Sequence, residues 1–199
     1  MTTRIPVVVT YLEMTERPTA PAPALPRGNF ALLHVERPSV AFYRYLYNTV
    51  GERWFWVDRR RMDDETLRTE IQDESVEISV LYGKGEPVGF VELDGRTAPT
   101  QTIAYFGLMP DWIGRGIGRY LLRWAVDRAW QRGASRIAVE TCTLDHPAAL
   151  GHYQRLGFRP YRQKKKHIPD PRIEGFIPAC HEPLGTALAA HFSVPHGVA

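Results

Sequence analysis

The chain has 199 residues, 44% hydrophobic and 24% charged, with a formal charge of +3 at neutral pH. That is the composition of a globular protein long enough for one proper core, and its charge is too weak to point to nucleic acid yet suits a phosphate-bearing ligand. No apolar run approaches the ~18 residues of a membrane span, residues 1–14 lack the regions of a secretory leader, and Cys142 with Cys180 fit a reducing cytoplasm better than a disulfide scaffold.

Residues 5–12 (Ile-Pro-Val-Val-Val-Thr-Tyr-Leu) are β-branched and predict a strand, and the four prolines within 17–27 predict an extended connector. A second strand is expected over 30–36. Ser39 then caps a helix to about residue 49, and Asp63, Asp64 and Glu65 open a shorter one over 63–71. Strands over 76–82 and 88–93 flank Gly83-Lys84-Gly85-Glu86-Pro87, a hairpin by its turn chemistry, and 100–108 follows as a third strand. The helix over 116–132 has Ile117, Leu121, Leu122, Ala125, Val126 and Ala129 on its apolar side, and Gly133 stops it. Residues 135–141 read as a strand, and Asp145 or His146 with Pro147 opens a helix closing at Gly157. Residues 158–168 return as a strand, and 184–192 can form one short helix. No repeat is present. From residue 30 the order β-α-α-β-β-β-α-β-α-β predicts a mixed sheet, with hairpins first and a β-α-β crossover later, and helices on both faces.

The most informative stretch runs from Phe106 to Leu122. An apolar strand breaks at Met109-Pro110-Asp111-Trp112 and passes into Ile113-Gly114-Arg115-Gly116-Ile117-Gly118-Arg119, where a helix starts. Alternating glycines clear side chains from the turn, so backbone N–H groups at a helix N-terminus can converge on an anion. Three diphosphate-binding readings compete. A P-loop requires Lys followed by Ser or Thr after the last glycine, but Gly118 is followed by Arg119-Tyr120. A dinucleotide fold has Glu140 in place for a ribose, yet the glycine spacing is wrong and only 59 residues follow Glu140. Coenzyme A is the third.

Here the chain resembles the GNAT superfamily of N-acetyltransferases. Ile113-Gly114-Arg115-Gly116-Ile117-Gly118 is similar to its Arg/Gln-x-x-Gly-x-Gly/Ala cofactor signature, and the stretch from Asp145 to Phe158 resembles its Asn-x-x-Ala-x-x-x-Tyr-x-x-x-Gly-Phe helix. The likeness covers residues 30–166; Ile113 replaces the usual Arg or Gln, and His146 the usual Asn. It implies an α/β (α+β) fold with a mixed, mostly antiparallel central sheet flanked by helices on both faces. The domain spans 30–168, after an N-terminal strand and connector over 1–29 and before a tail over 169–199.

The resemblance further implies a cytoplasmic, acetyl-CoA-dependent acyltransferase moving an acetyl group directly to an amine of a small molecule or peptide, as monomer or homodimer. No metal, nucleic acid or membrane is expected. Leu108 and Met109 would hold the cofactor arm and polarise its thioester through their N–H groups. Gly114, Arg115, Gly116, Ile117, Gly118 and Arg119 would hold the pyrophosphate, and His146 would meet the pantetheine. Tyr153 would be the acid that assists thiolate departure. The family's usual glutamate is missing from 102–106, so Glu92 on the neighbouring hairpin strand is the expected base, with Glu140, His146 or water in reserve. The stripe Arg115, Arg119 and Arg123 offers phosphate contacts from its first two members, with Arg123 solvated. Phe42, Tyr43, Tyr45, Tyr47, Trp54, Phe55 and Trp56 can cage a cation or anchor a helix, Lys164-Lys165-Lys166 reads as a solvated strand end, and Cys142 as buried and inert. The competing reading is a catalytically silent acyl-CoA-binding module.

Overall fold

Period-two burial organises the molecule. In the computed structural model, which describes residues 4–25 and 27–182, seven strands form one sheet. They are β1 (Arg4–Met14), β2 (Phe30–His34), β3 (Val76–Gly83), β4 (Glu86–Asp94), β5 (Thr100–Leu108), β6 (Arg136–Cys142) and β7 (Arg159–Pro169). Four helices accompany them: α1 (Val40–Gly51), α2 (Asp64–Ile71), α3 (Ile117–Gln131) and α4 (Ala149–Leu156). The helix expected over 184–192 lies outside the described residues. Along β4, Phe90 and Glu92 face α1, where Tyr43 meets Glu92, while Val91 and Leu93 join the core beneath α3. Glu77 of β3 likewise points to α3 and takes hydrogen bonds from Arg128 and Arg132. The sheet is therefore covered on both faces.

Strand order is β2-β3-β4-β5-β6-β1-β7, and every pairing is antiparallel except β5 with β6. The N-terminal strand, which the resemblance leaves outside, thus lies inside the sheet: Val9 pairs with Cys142 on one side and Lys164 on the other. Its Ile5, Val7 and Val9 pack with Phe55, Val57 and Ile177, and its Leu12 and Met14 with Tyr153 and Phe158. The proline connector lies against α3, where Arg123 donates to the Ala20 carbonyl at 2.6 Å and to Asp127 at 2.9 Å. Arg123 is therefore buried and structural, not solvated.

One expected boundary shifts for a physical reason. Asp145 and His146 do not begin α4; they close a turn that precedes it. Asp145 Oδ2 accepts from the Cys142 N–H and the Thr141 hydroxyl, both at 2.8 Å, and His146 Nδ1 accepts from the Ala148 N–H at 3.1 Å. Gly157, at φ +111, ends the helix as expected.

The feature that makes a site is a divergence in the sheet. β5 and β6 pair only from Thr100–Arg136 to Ile103–Val139, and beyond this point the strands separate. Residues 104–108 and 140–142 then border an open gap.

Candidate active site

A cavity of about 630 Å³ occupies the gap and continues to both faces of the sheet. Its α3 end is bounded by the glycine turn. Gly114 and Gly116 have φ of +83 and +80, and a Cβ on either would meet nothing within 4 Å. The turn therefore leaves clear space in front of backbone donors, and the first N–H groups of α3 have no intrahelical partner. Gly114, Gly116, Gly118, Ile113 and Arg119 line the cavity. Ile117 contributes only backbone, since its side chain is in the core. Arg115 turns away, with its guanidinium 5.0 Å from the centre of the Trp112 ring, leaving Arg119 as the cation of the stripe that lines the cavity. His152, which also lines it, has its imidazole pKa lowered by burial and by Arg155, His146 and Arg119. This open cradle fits the diphosphate of coenzyme A.

Register separates the two backbone donors expected at the end of β5. The Met109 N–H donates to the Val88 carbonyl at 3.0 Å, so it belongs to the sheet, and the Met109 side chain is buried. Leu108 pairs with Gly89 one position earlier. The alternation of an antiparallel ladder therefore turns the Leu108 N–H away from β4, towards the gap. Phe106, two residues back, has the same orientation. The pair facing a ligand arm is thus Phe106 and Leu108 instead of Leu108 and Met109.

Tyr153 lines the middle of the cavity from α4. Burial raises its phenol pKa, and the nearby Asp145 carboxylate raises it further, so the hydroxyl remains a proton donor at neutral pH. Asp145 itself also lines the cavity, and burial lifts its carboxyl above the usual range against the hydrogen bonds it receives. His146 borders the same region with its ring 5.2 Å from that of Trp54. Since its Nδ1 is taken by the turn, only Nε2 is left for a ligand.

The end facing α1 contains Asp58, Glu140, Lys166 and a wall of Tyr47, Trp56 and Tyr105. Glu140 is exposed along β6, yet partial desolvation of its carboxyl raises it above its ordinary range, Lys166 opposes this, and Asp58 and Asp145 add to it. Of the aromatic cluster, Trp54 and Phe55 also line the cavity, Tyr43 is buried, and Tyr45 is exposed. Cys142 lines it too, with burial pushing its thiol up to about 12, so it is unreactive at neutral pH.

Glu92 is elsewhere. It is fully buried, with Oε1 2.6 Å from Arg59 Nη2 and Oε2 accepting from the Tyr43 hydroxyl at 2.5 Å. Burial would lower the Arg59 pKa, but the Glu92 charge, together with Tyr43, Tyr105 and the hydrogen bond to Glu70, outweighs it and keeps the guanidinium protonated. That guanidinium lies 5.4 Å from the Tyr105 ring centre, while the Arg59 N–H donates to the Tyr47 hydroxyl at 3.3 Å. Glu92 therefore sits behind the aromatic wall and holds it in place; its charge is already committed.

Asp58, Lys166, Val7 and Val9 are cavity residues that the motifs did not reveal. A signal existed for the valines: Val7-Val8-Val9 is a continuous apolar run of the kind buried on both faces, as a strand inside a sheet requires. No metal-ligating group of three or more side chains occurs among the described residues, nor does a helix long and apolar enough to cross a membrane.

No curated protein matches the chain. Among solved structures, a GCN5-related N-acetyltransferase from Sphaerobacter thermophilus is 22% identical with a TM-score of 0.56, over 85% of this chain and 53% of that one. The ribosomal-protein alanine N-acetyltransferase from Escherichia coli is 17% identical with a TM-score of 0.54, over 71% and 94%. A tandem GNAT protein from the clavulanic acid biosynthesis pathway is 14% identical with a TM-score of 0.59, over 78% and 51%. At these identities the likeness is one of fold, and the chain spans only 53 to 61% of several such neighbours. The model of the Acetyltransferase (GNAT) family matches residues 37–158, from the start of α1's cap region to the end of α4. With the glycine cradle, the diverging strands and the Tyr153 helix all inside that match, the chain is a member of the GNAT acetyltransferase family.

Proposed function

We propose that the protein transfers an acetyl group from acetyl-CoA to an amine of a small molecule or peptide, in the cytoplasm, with Tyr153 as acid and Glu140 as base. The observation that carries this reading is one continuous cavity running from the glycine cradle, past the Leu108 N–H and Tyr153, to Glu140. Acetyl-CoA bound there supplies an acyl thioester. Backbone donors of residues 114–119, with Arg119, neutralise its phosphates. The Leu108 N–H, turned towards the gap, would polarise a thioester carbonyl held there and favour the charge that grows on its oxygen. Glu140 takes the proton of the incoming ammonium, which frees the nitrogen lone pair. The N–C bond then forms, the C–S bond breaks, and Tyr153 gives its proton to the leaving sulfur. The second proton on the acylated nitrogen passes through solvent to the Tyr153 phenolate, which leaves the neutral amide, and Glu140 releases its proton to solvent.

The base moves from Glu92 to Glu140 because a carboxylate held by Arg59 and Tyr43 cannot reach an acceptor, whereas Glu140 lines the cavity. Its raised pKa also makes it a stronger base than an ordinary carboxylate. The test is amine-dependent release of free thiol from acetyl-CoA across a panel of amines, with the acetylated product identified by mass spectrometry. Tight acetyl-CoA binding without turnover on any amine would show a silent binding module.

A further inference from the structure

Lys166 has no task in acetyl transfer to a simple amine, yet it lines the acceptor end of the cavity. It stands opposite Val7, so its side chain leaves the sheet on the same face as Val7 and Val9. Glu140, opposite Tyr11, leaves on that face as well. Lys164 and Arg162 continue the same side of β7 outward, with Arg162 5.8 Å from the Tyr11 ring centre. Neither Lys164 nor Lys166 has a carboxylate within the 4.0 Å of a salt bridge among the described residues. Arg61, the other cation at this end, is already paired with Glu174. The acceptor end thus has the Asp58 and Glu140 carboxylates, an ammonium that is in no salt bridge among the described residues though its charge is felt by Glu140, and valine and aromatic side chains lining the same cavity.

Building on the acetyl-transfer reading, we propose that the acceptor is an amino-acid-like zwitterion whose amine meets Glu140 and Asp58 and whose carboxylate is read by Lys166. Valine and aromatic side chains would take its apolar part. Two opposite charges set apart in a mostly apolar cavity reject a ligand that leaves either one unpaired. Lys166, Val7 and Val9 lie outside the family match, so this selectivity belongs to the added strand and its neighbour.

The test uses three matched acceptors: phenylalanine, its amide and phenethylamine, compared by pH-independent kcat/KM for thiol release. The acid should exceed the amide about tenfold, the value of one charge-assisted contact. In Lys166→Gln that ratio should collapse towards one, and Lys166→Arg should restore most of it. Equal use of the three acceptors, or acetylation confined to amines without an acidic group, would overturn the proposal. So would a Lys166→Gln protein that loses the same factor on all three while its acidic pH limb shifts, because Lys166 would then only tune Glu140. If no amine of any kind is acetylated, the acetyl-transfer reading fails first; if phenethylamine is acetylated as well as phenylalanine, only the zwitterion fails.

Discussion

The two ends of the cavity are made of different material. At the α3 end the cavity is bounded mainly by backbone: two glycines in left-handed conformations, the first turn of a helix and the Phe106 and Leu108 N–H groups on β5, with Arg119 as the one cation of the stripe. At the α1 end it meets side chains brought from four separate segments, Asp58, Tyr105, Glu140 and Lys166. A backbone cradle requires a fixed local spacing and little else, so an apolar Ile113 in its lining is no obstacle to it. A side-chain pocket requires no spacing at all and can change one residue at a time. The first end suits a ligand common to many proteins, the second a ligand particular to this one.

Substitutions at the two ends should therefore fail in different ways. The largest effect is expected for Gly116→Asp, which places a carboxylate where phosphates would sit and should weaken acetyl-CoA binding by more than ~10²-fold in calorimetry. Unchanged affinity in the folded variant would remove the cofactor from this turn. Tyr153→Phe should lower kcat about 10²-fold while the acetyl-CoA Kd stays constant, because the hydroxyl acts only as the sulfur departs. An equal rate would reduce Tyr153 to packing.

Glu140→Gln comes next, with a fall in kcat/KM of about 30-fold that shrinks at high pH, where more amine is already neutral. The wild-type acidic limb should lie above the ordinary carboxylate range, since the Glu140 pKa is raised. For a carboxyl raised by folding, its contribution to stability is present below its unfolded pKa and lost as pH rises through the folded pKa. Replacing Glu140 with Gln should then keep or raise Tm at neutral pH while activity drops; a Tm that falls along with activity would mean structural damage. The smallest effect on rate is expected for Glu92→Gln, less than ~3-fold in the folded protein with no change in pH profile. Its cost is in stability, about 3 kcal/mol in denaturant unfolding, because Arg59 loses its buried counter-charge. A pH-dependent rate deficit instead would return the base to Glu92.

The contrast between the ends also explains what could be read from the amino acids alone. The glycine turn, the apolar side of α3 and the Tyr153 helix depend on local spacing, and each lies close to its expected place. Glu92 misleads because a lone acid in an apolar strand looks like a base; its partners Arg59 and Tyr43 arrive from a loop and a helix distant in sequence. The assignment of Met109 fails by one residue, because the β4–β5 register is set by cross-strand pairing. Lys166 looked solvated since its cavity exists only once β1 has been inserted beside β7.

That insertion has a consequence for how the protein is made. β1 is synthesised before the other six strands, yet Val9 gains its first partner only with Cys142 and its second only with Lys164. Until then Ile5, Val7 and Val9 have no sheet to join and form an exposed, β-prone segment. Such distant pairing makes closure of the sheet slow relative to the formation of helices and hairpins. The same late step brings Val7 and Val9 to the cavity wall, so the acceptor pocket is completed only when β1 docks against strands synthesised long after it.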